Sequence, residues 1–143
     1  MQIRKADQED IRKLMPLLRQ LSPGPDEDDL DQLKQISDQI IKDEYHYLCV
    51  VEEDNGIIGS GTLLIQKNLS HGGRPYGHIE NIVVDINHRK KGIGKEIARH
   101  LIEKAKENNC YKVILDCKKE NIPFYEKCGF NDTGEVEMRI SFE

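Results

Sequence analysis

The residues best equipped for chemistry lie in one stretch, Val83-Val84-Asp85-Ile86-Asn87-His88-Arg89-Lys90-Lys91-Gly92-Ile93-Gly94-Lys95. It runs from an apolar strand through a basic turn into the most regular amphipathic helix of the chain. That helix spans Gly92 to Glu107, with Ile93, Ile97, Leu101 and Ala105 on one stripe and Ala98 and Ile102 beside it. Gly92 and Gly94 remove side chains where the free N–H groups of the first turn point outward. The helix terminus adds about half a positive charge, and Arg89, Lys90, Lys91 and Lys95 add whole ones. This combination suits a pyrophosphate held by main-chain nitrogen; the alternative is a solvated turn. A P-loop is excluded, because Arg89 and Glu96 stand where it needs glycine and a hydroxyl residue. The dinucleotide fingerprint fails at Ile97, where it needs glycine or alanine.

Glu80 and Asp116 fall on neighbouring apolar strands, and ligands gather at the carboxyl ends of strands in open α/β sheets. Strict alternation puts Glu80 on the face of Ile82 and Val84. The alternative for either acid is a strand-end salt bridge. Tyr125 sits in a short helix, as a proton donor or as an aromatic packed on Phe124. No cysteine has an activating partner in the sequence, so Cys49, Cys110, Cys117 and Cys128 read as small buried hydrophobes. His46, His71, His78, His88 and His100 lack metal-ligand spacing, so no metal is expected. Asp26, Glu27, Asp28, Asp29 and Asp31 read as a solvated helix start, since a calcium loop would need a following glycine and glutamate.

The elements that must position these groups follow from periodicity and breakers. Residues 1–6 form a strand, with Asp7 capping a helix marked by Ile11, Leu14, Met15, Leu18 and Leu21. Ser22-Pro23-Gly24-Pro25 breaks it, and Leu30, Leu33, Ile36, Ile40 and Ile41 mark a second helix. Strands at 47–51 and 57–65 join at Asp54-Asn55-Gly56, a strong hairpin signal. A further strand runs from Tyr76 to Asp85, a buried one from Tyr111 to Asp116, and a last one from Val136 to Phe142. The order is βααβββαβαβ: an α/β chain with a mixed sheet flanked by helices, read as one domain over residues 1–143.

The chain has 143 residues and a formal charge of −5, which argues against sequence-independent nucleic-acid binding. No apolar run approaches the ~20 residues of a membrane helix, and the opening residues lack the apolar stretch of a signal peptide. Four cysteines without a CxxC pair suit a reducing compartment, so a cytoplasmic protein is expected.

Arg89-Lys90-Lys91-Gly92-Ile93-Gly94 resembles the R/Q-x-x-G-x-G/A loop of the GNAT N-acetyltransferases. Asn121-Ile122-Pro123-Phe124-Tyr125-Glu126-Lys127-Cys128-Gly129-Phe130 resembles that family's N-x-x-x-F/Y-Y-x-x-x-G-F element. Within the family, Gly77 to Val84, Cys110 to Cys117 and Phe124 to Phe130 are most similar to the eukaryotic glucosamine 6-phosphate acetylating branch. The likeness covers nearly the whole chain and is densest from residue 77 onward.

The resemblance implies the GNAT fold, with acetyl-CoA as co-substrate and direct attack by a primary amine in a ternary complex. It implies that the amides of residues 89–95 hold the pyrophosphate and that Ile82, Val83 and Val84 pair with the pantetheine arm, while Asn121, Phe124, Tyr125 and Lys127 also meet the donor. Tyr125 would face the sulfur, with Glu80 and Asp116 managing the amine. A phenol near pKa 10 facing a thiol near 8.5 makes full proton transfer uphill by about 2 kcal/mol, so hydrogen bonding to the developing thiolate is the modest role. Ser22, Asn68, His71, Glu80, Asn81, Tyr111, Asp116 and Ser141 fall at acceptor positions by the same resemblance, and Lys112, Arg74 and Arg139 are further cations able to meet a phosphate. A homodimer whose C-terminal strands meet or exchange is also implied.

Two residues depart from that branch: Asn81 replaces its usual Asp, and Ser141 stands at its phosphate-binding arginine, with Arg139 two residues earlier on the same face. The departures keep two other readings open, a different primary amine (polyamine, arylalkylamine or protein) and a CoA-binding module without catalysis.

Overall fold

The computed structural model describes residues 1–25 and 27–143, so Asp26 of the acidic run lies outside the described residues. β1 (Gln2–Lys5) is followed by α1 (Ile11–Leu21), α2 (Leu30–Lys42), β2 (His46–Glu53), β3 (Gly56–Gln66), β4 (Tyr76–Val84), α3 (Ile93–Glu107), β5 (Val113–Ile114) and α4 (Ile122–Lys127). The strands form one sheet in the order β1-β2-β3-β4-β5. All pairs are antiparallel except β4–β5, which is parallel. The expected mixed sheet with helices on both faces is what the chain forms.

Asp7 caps a single 3-10 turn rather than α1 itself. Its carboxylate accepts the N–H of Glu9, while Asp10 accepts the N–H of Asp7 at 2.8 Å. Asp10 is buried and takes two hydrogen bonds from Arg4, at 2.7 and 2.9 Å. α1 then runs to Ser22 despite Pro16 in its interior, which cannot donate to the carbonyl four residues back. Asp29 caps α2 by accepting the N–H of Gln32, and Asp28 pairs with Arg19. Those two acids of the expected solvated run therefore serve a cap and an ion pair.

α3 packs on one face of the sheet, where Cys49, Val51, Leu63, Ile79, Ile97 and Leu101 form a buried cluster. A Cβ on Gly61 would stand 2.7 Å from Ile97, so glycine there is what lets α3 close on β3. α1 covers the other face through Leu14, Leu17, Val50 and Val83. Full burial of each large aliphatic contributes roughly 1.5–3 kcal/mol. Leu21, Leu30 and Ile36, expected on apolar stripes, are exposed instead, because the sheet face is already filled by Leu14 and Leu17.

Two strand expectations are corrected. The strand expected at Tyr111 to Asp116 pairs only at Val113–Ile114, half-buried and exposed, because β4 diverges from it. Val136 to Phe142 joins no strand, and Val136, Met138, Ile140 and Phe142 are 79%, 90%, 82% and 96% exposed. An alternating apolar segment forms a strand only when paired with a neighbour, and this one is paired with none among the described residues.

Candidate active site

The turn after β4 leaves main-chain donors open. Asp85 donates its N–H to Ile58 at 2.8 Å, ending the sheet, and a 3-10 turn covers Ile86–His88. Lys90 (φ +65°) and Gly92 (φ +80°) are left-handed on either side of Lys91, a concave arrangement suited to anions. From Arg89 to Gly92 no backbone N–H has a protein partner among the described residues, and Gly92 starts α3 with no side-chain cap. All four residues are exposed. Arg89 folds back, donating Nε–H to the carbonyl of Val84 at 3.0 Å. A Cβ on Gly94 would lie 3.1 Å from the Phe124 ring and 3.8 Å from Val84. The end of β4, the first turn of α3 and α4 therefore meet at Gly94.

Beside this turn the sheet splits. β4 and β5 pair at Gly77–Val113 and His78–Ile114 and no further. β4 continues to Val84, paired with β3 on its other edge, so its β5-facing edge is free from Ile79 onward. β4 also bulges. Ser60 pairs with Val83 and Thr62 with Glu80, leaving Gly61 opposite both Asn81 and Ile82. Asn81 takes a left-handed φ of +55°, which asparagine tolerates better than most residues. The bulge corrects the strict alternation: Ile82 and Val84 join Ile79 on the α3 face, and Glu80 does not share that face.

Glu80, Asp116 and Tyr125 line one cavity of about 1420 Å³, together with His78, Tyr111 and Lys112. Burial, then the charge of Asp116, pushes the Glu80 carboxyl above its ordinary range, with His78 opposing. Tyr125 is half-buried, its ring edge-on to Phe124 and Phe130 at centroid distances of 4.9 and 5.9 Å. Burial raises its phenol, with Cys117, Cys128 and Asp116 adding to the rise. Glu137, a residue the sequence pattern does not single out, reaches the same cavity. Its carboxyl is held below the ordinary range, by the hydrogen bond from Arg139 first.

The other expected acceptor residues stand outside that lining. Asn68 spends its amide on the loop, donating to Ser70 and to the Arg74 carbonyl, and Arg74 donates to the carbonyls of Asn109 and Cys110. His71 stacks on Tyr111 at 3.9 Å, and the Lys112 ammonium lies over the rings of Tyr76 and Tyr111. Ser22 is the exposed C-cap of α1. Asn81, Arg139 and Ser141 are exposed, with Arg139 bonded to Glu137 at 2.7 Å. Lys95 and Lys127 line a second cavity of about 310 Å³ with Arg99 and Lys106. Asn121 precedes α4 without capping it by its side chain. Of the cysteines expected to be buried, Cys49 is, Cys110 and Cys128 are half-buried, and Cys117 is exposed because β5 ends before it. All four thiols are pushed up, by burial first, Cys49 to about 12.

Amides without a partner among the described residues at a basic helix start, a parallel pair of strands split open beside them and Tyr125 in the adjoining cavity mark the candidate active site of this α/β fold. Residues 11–130 match the Acetyltransferase (GNAT) family, and the chain belongs to it. The chain is 38% identical to a probable glucosamine 6-phosphate N-acetyltransferase of Oryza sativa, over 99% of this chain and 87% of that protein. It is 37% identical to a glucosamine 6-phosphate N-acetyltransferase of Arabidopsis thaliana, over 99% of this chain and 96% of that one. A crystal structure of glucosamine-6-phosphate N-acetyltransferase from Arabidopsis thaliana matches the fold with a TM-score of 0.93 and 35% identity, over 99% and 98% of the two chains.

Proposed function

We propose that this chain moves the acetyl group of acetyl-CoA to the amine of glucosamine 6-phosphate, by direct attack in a ternary complex. One observation carries the donor assignment. The partnerless amides from Arg89 to Gly92 run straight into the free edge of β4, which leads to the cavity of Glu80 and Tyr125. The residues fit such a donor. Main-chain N–H groups and the cations of Lys90, Lys91 and Lys95 would hold a diphosphate, and residues 82–84 would pair with an amide-bearing arm. When bound, acetyl-CoA supplies the acetyl group as a thioester.

The chain's own residues then have limited work. Glu80, its carboxyl raised by burial, is a base that takes the proton of the attacking amine, with Asp116 orienting that amine. A free N–H on the β4 edge polarises the acyl oxygen. Tyr125 donates its O–H to the departing sulfur. With its phenol pushed up, full transfer to a thiolate costs more than the ordinary ~2 kcal/mol difference, so hydrogen bonding is its role. No thiol here is activated as a nucleophile, which favours the direct route.

The relatives matching nearly the whole chain support this acceptor. We read residues 1–143 as one domain that acts in the cytoplasm as a homodimer. The apolar alternation left exposed from Val136 to Phe142 supports a second copy supplying the missing strand neighbour, which would carry Arg139 and Ser141 toward a site. The test is purified protein with acetyl-CoA and a panel of amines, reading released thiol. Turnover confined to glucosamine 6-phosphate is expected. Turnover confined to polyamines, arylalkylamines or peptides would replace the acceptor, and donor binding without turnover on any amine would overturn the catalytic reading.

A further inference from the structure

The turn that launches the diphosphate loop is fastened to α1 by one side chain. Gln20 donates Nε2–H to Asp85 Oδ1 at 2.9 Å, and its Oε1 accepts the N–H of Ile86 at 3.0 Å. The other oxygen of Asp85 accepts the Nδ1–H of His88 at 2.8 Å, and the Asp85 carbonyl accepts the N–H of His88 at 2.8 Å. The Asp85 carboxyl lies below its ordinary range, through the Gln20 hydrogen bond first and His88 next. Residues 85–88 are thus tied to β3, to themselves and to α1. The four residues that follow have no backbone N–H partner of their own among the described residues, so their position is inherited from this turn, from α3 and from the Arg89 side chain's bond to the Val84 carbonyl. On the α1 side, Arg19 pairs with Asp28 in the connection to α2, and Ser22 lies two residues beyond Gln20.

We propose that Gln20 is a positioning residue of the acetyl transfer. Its amide, closed on Asp85 and Ile86, fixes where the diphosphate loop begins and holds the Ser22 segment in register with it. The inference rests on the reading that residues 89–95 hold the donor. It assigns Gln20 no contact with either substrate.

The test exploits the direction of the hydrogen bonds. Gln20→Glu cannot donate to Asp85 and sets two carboxylates together, so the clasp opens. Combining it with Asp85→Asn restores the clasp with donor and acceptor exchanged. The Asn Nδ2–H donates to the new carboxylate, whose second oxygen accepts the Ile86 N–H, while the Asn Oδ1 still accepts from His88. Gln20→Ala serves as a milder variant that adds no charge; Gln20 is exposed, so folding is expected to survive all three. Kd for acetyl-CoA by calorimetry and KM and kcat with glucosamine 6-phosphate are measured beside the melting temperature. Gln20→Glu is expected to weaken donor binding about tenfold, with Gln20→Ala intermediate and the double variant within about threefold of wild type. Donor constants unchanged in Gln20→Glu, or a double variant as weak as the single, would overturn the inference while a working wild type leaves the function standing. A wild type that does not bind acetyl-CoA would overturn both.

Discussion

Glu80 and Ile82 lie two residues apart on β4 yet face opposite sides of the sheet, because Gly61 on β3 stands opposite both Asn81 and Ile82. Without the extra residue, Glu80 would point with Ile82 and Val84 into the apolar cluster under α3, where a carboxylate has no partner. With it, the strand buries its aliphatic residues against α3 and still presents Glu80 to the cavity shared with Asp116 and Tyr125. One left-handed residue therefore separates the face of β4 that packs under α3 from the side that carries Glu80, the proposed base.

Asn81 is the residue on which that separation depends. Asn81→Gly keeps a φ of +55° accessible, and kcat is expected to stay within about threefold. Asn81→Val is both β-branched and left-handed, costing roughly 1–3 kcal/mol. If the strand relaxes to remove the bulge, Glu80 leaves the cavity and kcat falls by more than tenfold. Steady-state rates and a melting curve for both variants check this, and equal rates would contradict it.

A pH profile follows from the raised Glu80 carboxyl. A base must be unprotonated, so kcat/KM is expected to fall with acidification at a higher pH than an ordinary carboxylate near 4.3 would give. Glu80→Gln should remove that limb and most of the rate. The stability sign runs the other way. A folded pKa above the unfolded one favours folding at low pH, and that benefit is lost as pH rises through the folded value. At neutral pH Glu80→Gln is therefore expected to melt no lower than wild type, and a marked drop would contradict a carboxylate buried for function.

Asp10 gives the opposite sign. Its carboxyl is pulled down by the hydrogen bonds from Arg4 first, partly offset by burial, with the N–H of Asp7 adding to the fall. Its stabilisation is present above the unfolded value and is lost as pH falls through the folded one. Asp10→Asn should cost about 2–3 kcal/mol at pH 7 by leaving Arg4 underpaired. The gap between variant and wild type should narrow below about pH 3.9. Urea titrations at several pH values measure it, and a gap independent of pH would count against the pair.

Tyr125→Phe keeps the ring edge-on to Phe124 and Phe130 and deletes the phenol. The expected outcome is a kcat lower by about tenfold to a hundredfold with donor Kd within twofold. Unchanged kcat under conditions where chemistry limits turnover would remove Tyr125 from the reaction.

Much of this was legible in residue order. The Asp54-Asn55-Gly56 hairpin, the stripe of α3 and the basic glycine turn are local signals, and each stands where periodicity puts it. The face of Glu80 was not legible, because a bulge is a property of two strands together and alternation on one strand is blind to it. The lengths of β5 and of the C-terminal segment were misread for a related reason. Apolar alternation marks a strand, but a strand also needs a partner, and among the described residues β5 pairs over two positions only and Val136 to Phe142 with none. The parts played by Asn68, which braces its own loop, and by Arg74, which ties that loop to Asn109 and Cys110 after α3, also depended on contacts invisible in sequence. So did Gln20, whose partners stand 65 and 66 residues away.

The proposed reaction depends first on where the donor's diphosphate sits. A crystal structure of the chain with CoA measures this directly. It is expected to place phosphate oxygens within hydrogen-bond distance of main-chain nitrogens between Lys90 and Lys95, with the thiol end reaching the Tyr125 hydroxyl. A diphosphate bound elsewhere, with those amides facing only solvent, would contradict it.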